Sequence, residues 1–285
     1  MALSKEKAFQ KKCRELIRKA NSLEDDKVRA AIAILNNARK DVLGTIAETD
    51  WQAYRLAQMR TAIERVMQQF GDKYGVDLRD AQRDLFNLGI DFVDLPLREI
   101  GIYVAIPEID ATVLSIMQGY SSDLVKGLTR SAIEKISNEL TMGLIGQKSP
   151  YDVMRAVGTN LKDPSIFKSI AARAETITRN ECGRVLEMAS QARREKAAQV
   201  IPGLQKQWFH GQSSLVPRIT HLTAVGQIRD VNEPFLVGSE KLMFPRDPAG
   251  SAKNTINCSC YSLPYHPDWD AVSGDEKRAA AGIVN

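Results

Sequence analysis

Apolar residues recur at helical spacing through most of the first two hundred positions. In the opening segment Phe9, Cys13 and Leu16 follow one another at intervals of three or four, with charged residues between them. This spacing places the apolar side chains on one face of an α-helix. The first part of the chain therefore predicts a succession of amphipathic helices.

Polar and small residues mark where these helices should begin and end. Ser22-x-x-Asp25 resembles a capping box, and Ser149-Pro150 and Asp163-Pro164 each place a capping residue before a proline. Such pairs favour a helix start, whereas glycine favours a helix end. The sequence predicts helix starts at Ser22, Asp50, Asp110, Ser149 and Asp163, ends at Gly71 and Gly75, breaks at Gly119 and Gly127, and a long last helix over 164–199.

After Pro202 the pattern changes to short apolar runs separated by proline, glycine and polar residues. Runs of this kind, bounded by turn residues, are typical of β-strands. We predict strands over 204–209, 235–237, 242–244 and 258–263, and short helices over 219–225 and 249–254. The expected fold is mainly α with a small α+β C-terminal domain: a helical region over 1–163, a long connecting helix over 164–202, and a compact domain with a tail over 203–285.

Composition is that of a globular protein. Of the 285 residues, 44% are hydrophobic and 26% are charged, an ordinary balance. The N-terminus lacks the apolar core of a signal peptide, and uncharged stretches such as 111–122 fall short of the roughly 20 residues that span a bilayer. We therefore expect no membrane span and synthesis in the cytoplasm, with the four cysteines present as thiols or metal ligands rather than disulfides.

Charge is distributed unevenly along the chain. Residues 1–60 carry 13 Lys and Arg against 8 Asp and Glu, and residues 61–120 carry 5 against 10. The polar face of the first helix could contact DNA, a membrane surface or another protein, or could simply be solvated. The single apolar stripe beside it favours packing on a partner helix. The basic residues of this face are Lys5, Lys11, Lys12, Arg14, Arg18 and Lys19.

The segment from Trp208 to Cys260 contains the residues best suited to a shared site. Cys258 and Cys260 are two positions apart, so both sulfurs point to one side of an extended chain. With His221 they supply three donors of the type that zinc prefers. Alternatively, the cysteines pack as small apolar residues while His221 bonds a buried backbone group. The candidates for a fourth zinc ligand are His210, Asp230 and Asp247.

Several short motifs follow one another in this segment: Trp208, Arg218-x-x-His221, Gly226-Gln227, Glu233-Pro234-Phe235, Pro245-Arg246-Asp247-Pro248 and Asn257-Cys258-Ser259-Cys260. In order and spacing they resemble the C-terminal domain of the Mu gpF-like head morphogenesis family, the phage minor head proteins. The resemblance covers about 171–263, and 177–181 resembles the helix that leads into the domain. The chain departs from the family pattern at Val225 (usually Asp), Arg246 (Gly) and Ser259 (Arg). On this resemblance we expect one cluster of Trp208, Arg218, His221, Glu233, Phe235, Asp247, Cys258 and Cys260.

The resemblance implies a phage or prophage protein of the virion, present in few copies near the portal vertex. It would act in head assembly and in DNA packaging or delivery, by binding rather than by catalysis. Its expected partners are the portal protein, other capsid or scaffold proteins, and DNA. Two other classes remain open. One is a metal-dependent or cysteine hydrolase, which needs Cys258 or Cys260 activated beside His221, and the other is a DNA-binding protein.

Overall fold

The computed structural model describes residues 5–48, 51–52, 55–110, 112–165, 168–211 and 218–269. The helices are α1 (Lys5–Glu48), α2 (Leu56–Glu99), α3 (Thr112–Leu144), α4 (Pro150–Lys162), α5 (Ile170–Ala198), α6 (Ile219–Ala224) and α7 (Ala252–Thr255). The strands are β1 (Gln205–His210), β2 (Ile228–Asp230), β3 (Phe235–Val237), β4 (Glu240–Leu242) and β5 (Cys260–Tyr265). The fold is mainly α with a small α+β C-terminal region, as predicted. No helix in the described ranges combines the length and apolar character that crossing a membrane requires.

The long helices continue through most of the predicted breaks. Helix α1 passes Ser22 without interruption, so the predicted second start there is wrong. Helix α2 likewise passes Gly71 and Gly75. A Cβ atom on Gly71 would lie 2.5 Å from the Thr129 hydroxyl oxygen, so this glycine permits close packing of α2 on α3 instead of ending a helix. Helix α3 also continues through Gly119 and Gly127, which have open space around them.

Of the other predicted helix starts, two are confirmed and Asp163 is wrong. The Ser149 side chain accepts a hydrogen bond from the Asp152 N–H and caps α4, and Asp110 Oδ1 accepts one from the Thr112 N–H at the start of α3. Asp163, however, bonds the N–H of Ser165 in a turn. Helix α5 begins at Ile170, where the Ser169 hydroxyl accepts from the Ala172 N–H. The predicted start at Asp50 lies outside the described residues.

The chain forms two compact units, each assembled from separate segments. The first unit comprises 1–24, 82–115 and 180–285, and the second comprises 25–81 and 116–179. These units cut across the predicted boundaries at 163 and 202, because helices such as α1 and α5 contribute residues to both. Within the second unit the Tyr74 hydroxyl donates to the Ala174 carbonyl at 3.1 Å, which ties α2 to α5.

The first unit contains an antiparallel sheet of order β2-β1-β5 and a separate β3-β4 hairpin. Strand β2 was not predicted. Strand β4 begins and ends two residues earlier than the predicted run, and β5 begins and ends two residues later. Trp208 pairs with Ser262 and Phe209 with Tyr261, so the two pairs face opposite sides of the sheet. On the Phe209 side, the Tyr261 hydroxyl donates to Asn21 Oδ1 of α1 at 2.6 Å. The Trp208 side holds the residues singled out by the sequence.

Candidate functional site

His221, Cys258 and Cys260 meet in the interior of the first unit. His221 Nδ1 lies 3.5 Å from Cys258 Sγ and 3.6 Å from Cys260 Sγ, and the three donor atoms all lie within 4.8 Å of one another. The residues are only 3%, 2% and 1% exposed, respectively. The structure therefore brings together the three side chains proposed as metal ligands.

Hydrophobic side chains enclose these donors. The Trp208 ring packs edge-on against His221, with centroids 5.9 Å apart, and against Phe235, with centroids 5.2 Å apart. Trp208, Ala224, Phe235, Val237 and Leu242 form one buried cluster with the two cysteines. Trp208 and Phe235, which the sequence motifs singled out, thus line the site.

Three polar residues orient the segment that carries the cysteines. Asn257 adopts a left-handed φ of 53°, which turns the chain immediately before Cys258. Its N–H donates to Asn180 Oδ1 at 2.8 Å. Arg218, at the N-terminus of α6, donates to the Ile256 carbonyl. Arg218 was predicted as part of the cluster and lies at its edge. Asn180 falls within the predicted segment 177–181, but its contact was not predicted, because nothing local marks a helical asparagine as a loop acceptor.

The Gly226-Gln227 motif is a structural brace. Gly226 has a φ of 83°, in the region that favours glycine, and its N–H donates to the Trp208 carbonyl at 2.9 Å. The Gln227 side chain then makes two hydrogen bonds with the backbone of Leu236: it donates to the carbonyl at 2.7 Å and accepts from the N–H at 3.0 Å. The motif therefore secures β3, and with it Phe235, beside β1.

The acidic motif residues do not join the donor cluster. Asp247 is buried, but its carboxylate accepts from the N–H groups of Met243 at 2.7 Å and Ala249 at 2.9 Å and so closes a turn. Glu233 is exposed, and its N–H bonds the Asp230 carbonyl at 2.9 Å. The predicted cluster of eight motif residues is thus too large, because the Asp247 carboxylate closes a turn and Glu233 is exposed.

No fourth ligand joins the three donors within the described residues. Asp230 Oδ1 accepts a hydrogen bond from Gln205 Nε2 at 2.8 Å on the sheet surface. His210 is paired with Cys260 in the strand register, yet its ring nitrogens lie outside the group. The Asp247 carboxylate is engaged in its hydrogen bonds to the Met243 and Ala249 N–H groups. The three predicted candidates for a fourth position therefore do not supply it.

Arg246 connects the cysteine segment to α1. Its Nε donates to the Cys258 carbonyl at 2.6 Å, and its Nη1 lies 2.9 Å from Glu24 Oε1. Both charged side chains are buried. The guanidinium passes directly over Gly183, where a Cβ atom would lie 1.3 Å from Nη1. The sequence marked Arg246 only as a departure from the family pattern, and its role depends on two residues far away in the chain.

The two thiols differ strongly in acidity. The hydrogen bond with Cys260 lowers the pKa of Cys258 well below its ordinary value, and His221 and Arg246 act in the same direction. The same contact, together with burial, raises the pKa of Cys260. Of the two thiols, Cys258 therefore has the lower pKa. This difference was not apparent from the sequence.

A group of buried polar side chains connects α5 to the sheet. The Glu187 carboxylate accepts from the Ser262 N–H at 3.2 Å, and burial raises its pKa to about 8. Arg194 donates to the Ser262 carbonyl at 2.6 Å. Lys206 Nζ donates to the Met243 carbonyl at 2.8 Å and lies 5.1 Å from the centre of the Phe235 ring. Burial lowers the pKa of Lys206 to about 7.

Part of the basic face of α1 lines a surface groove of about 630 Å³. Lys5, Lys12 and Lys19 do not line this groove. Lys12 Nζ instead lies 3.1 Å from Glu15 Oε2 and 3.9 Å from Glu99 Oε2. The groove is lined by Lys7, Gln10, Lys11, Arg14, Ile17, Arg18, Asn21 and Phe209.

Two charged residues of the segment 177–181 form ion pairs. Arg179 pairs with Asp25, and Glu181 pairs with Arg184.

The comparisons with known proteins are few. The chain is 31% identical over 166 residues to the uncharacterized protein YqbB of Bacillus subtilis (strain 168). The match covers 55% of this chain and 52% of that protein, so the chain spans about half the length of this relative. No protein-family profile matches the sequence, and no solved structure matches it either.

Proposed function

We propose that the protein is a phage or prophage minor head protein, incorporated in few copies near the portal vertex. It acts in head assembly and in DNA packaging or delivery, through contacts with the portal protein, other capsid or scaffold proteins, and DNA. The motif order between Trp208 and Cys260 is the basis of this proposal.

One observation carries the preference for binding over catalysis. Motif residues up to 52 positions apart in sequence converge into a closed core, with Cys258 and Cys260 1–2% exposed. A substrate cannot reach a sulfur atom enclosed by Trp208 and Phe235 unless that core opens. The motifs therefore support a stable scaffold that presents its outer surface to partners.

The groove beside α1 supports contact with an anionic partner. Lys7, Lys11, Arg14 and Arg18 succeed one another at intervals of four, three and four, so they lie along one side of the helix. Phe209 lines the same groove and offers a ring surface. Cations beside an aromatic ring suit phosphate and base contacts, which weaken steeply as salt concentration rises.

Quantitative mass spectrometry of purified procapsids and mature heads tests the proposal. We expect a few copies of the chain per particle, and its co-purification with the portal protein. A triple variant, Lys11→Glu, Arg14→Glu and Arg18→Glu, should reduce incorporation or DNA binding. The matched control reverses three exposed charges in the second unit, Lys40→Glu, Arg65→Glu and Lys162→Glu. Absence of the chain from both kinds of particle would contradict the proposal.

A cysteine hydrolase is the second candidate, favoured by the lowered pKa of Cys258 and the 3.5 Å contact with His221. An accessible nucleophile would react rapidly with iodoacetamide in the folded protein. We expect slow labelling of Cys258 instead. Rapid labelling, together with a hydrolytic activity that is lost in Cys258→Ala, would favour the enzyme.

A further inference from the structure

We infer that His221 Nδ1, Cys258 Sγ and Cys260 Sγ bind one zinc ion, which joins α6 to the start of β5. This inference is independent of the proposed function, because it depends only on the donor atoms and their surroundings. Zinc binding is one of the two interpretations of these residues that the sequence left open.

The donor separations match those of a tetrahedral zinc site. Zn–S bonds of about 2.3 Å and Zn–N bonds of about 2.0–2.1 Å place a sulfur and a nitrogen ligand about 3.6 Å apart. The observed distances from His221 Nδ1 are 3.5 Å to Cys258 Sγ and 3.6 Å to Cys260 Sγ. A zinc ion can therefore enter between these atoms with little rearrangement of the side chains.

The charges of the site also suit a divalent ion. Two thiolates and a neutral imidazole around Zn²⁺ form a group of zero net charge, which can be buried at low cost. Arg246, which contacts the Cys258 carbonyl, is already balanced by Glu24. The site therefore requires no further counterion.

Unsatisfied polar atoms favour metal over apolar packing. The Trp208 indole N–H is buried and lacks a conventional hydrogen-bond partner within the described part of the chain. Trp208 lies in the same buried cluster as Cys258 and Cys260. Metal-bound thiolates are better acceptors for such a donor than neutral thiols. If the cysteines acted only as apolar residues, this N–H would face a poor acceptor.

The fourth position differs from that of a closed structural site. The three ligands all come from the first unit, and no further carboxylate, imidazole or thiol within the described ranges lies near enough. The ion then connects positions 37 and 39 residues apart in sequence, from α6 to the cysteine segment.

Elemental analysis and cobalt substitution of the full chain test the assignment. The protein, purified with added zinc and then desalted, should retain about one zinc per chain. One equivalent of Co²⁺ in place of zinc should give thiolate-to-cobalt charge-transfer bands and intense tetrahedral d–d bands. Cys258→Ser and Cys260→Ser should each lower metal affinity at least about tenfold and reduce the charge-transfer intensity.

The control variants remove other buried thiols of the same unit, Cys13→Ser and Cys182→Ser. They should retain the metal and the cobalt bands. Because ligand variants can misfold, the deciding measurement uses the unaltered chain, with its helix content checked by circular dichroism. A folded, unaltered chain that holds fewer than about one zinc per ten chains and develops no cobalt bands would overturn the inference. Tight binding of copper(I) with no binding of zinc would also overturn it.

Discussion

Arg246 occupies the space that any side chain on Gly183 would require. A Cβ atom at Gly183 would lie 1.3 Å from Arg246 Nη1 and 2.0 Å from its Cζ. The missing side chain on α5 is what allows the guanidinium to reach Glu24 on α1. Only glycine at position 183 leaves room for Arg246, which lies 63 positions later in the chain. This contact explains a glycine within a helix, where glycine is otherwise destabilising.

Gly183→Ala should destabilise the protein. The new methyl group would displace Arg246 and leave Glu24 buried without its partner, and breaking a buried ion pair in this way costs about 3–5 kcal/mol. Improved helix propensity returns only about 1 kcal/mol. We expect a net loss of at least about 2 kcal/mol in the free energy of unfolding, measured by urea denaturation.

Gly127→Ala is the matched control, because Gly127 also lies within a helix but a Cβ atom added there would meet nothing within 4 Å. This substitution should stabilise the protein by up to about 1 kcal/mol. Equal effects of the two substitutions would show that the Arg246 contact does not determine residue 183.

Lys206 should make stability depend on pH. Burial lowers its pKa from 10.5 to about 7, so between these values the unfolded chain binds a proton that the folded chain does not. Stability should therefore rise with pH in this window, by up to about 1.4 kcal/mol per pH unit from this group. Below about pH 7 the cost of burying the charge is fully present.

Lys206→Met isolates that contribution. The difference in unfolding free energy between the unaltered protein and this variant should change steadily from pH 7 to pH 10, and should level off below pH 7. Chemical denaturation at a series of pH values measures it. A difference that stays constant with pH would show that Lys206 is protonated in the folded protein throughout.

Gln227→Ala should loosen β3. The substitution removes both hydrogen bonds to the Leu236 backbone, with an expected loss of about 1–3 kcal/mol. Gln205→Ala, which removes an exposed bond to Asp230, should cost less than about 0.5 kcal/mol. Hydrogen exchange should be faster at the Leu236 amide in Gln227→Ala alone. If the Leu236 amide exchanges equally slowly in the two variants, the Gln227 side chain does not hold β3 in place.

Asn257 should tolerate glycine better than alanine. Its φ of 53° lies in the left-handed region, which glycine adopts freely and alanine does not. Asn257→Ala should therefore lower stability by about 1 kcal/mol, and Asn257→Gly by less. The order of the two melting temperatures checks this, and the reverse order would argue against a left-handed residue at this position.

Much of the small C-terminal region was predictable because its signals are local. The pattern around Trp208 gave β1 to within one residue, and Ile219 marked the start of α6. The convergence of Cys258 and Cys260 followed from their separation by two. The metal we assign to them stays a prediction.

The errors have a common physical cause, which is contact between distant residues. Gly71 reads as a helix end, but its role is set by Thr129 on another helix. Arg246 reads as an irregularity in a motif, because neither Gly183 nor Glu24 lies nearby in the sequence. Prediction from neighbouring residues in the sequence cannot identify such distant partners.

The pairing of Glu24 with Arg246 has a consequence for the order of events during synthesis. The two residues are 222 positions apart, so this contact cannot form until residue 246 has left the ribosome. The second unit, in contrast, is complete once residue 179 has been made. We therefore expect the second unit to become protease-resistant first on stalled nascent chains, while residues 5–24 wait for the last segment to emerge.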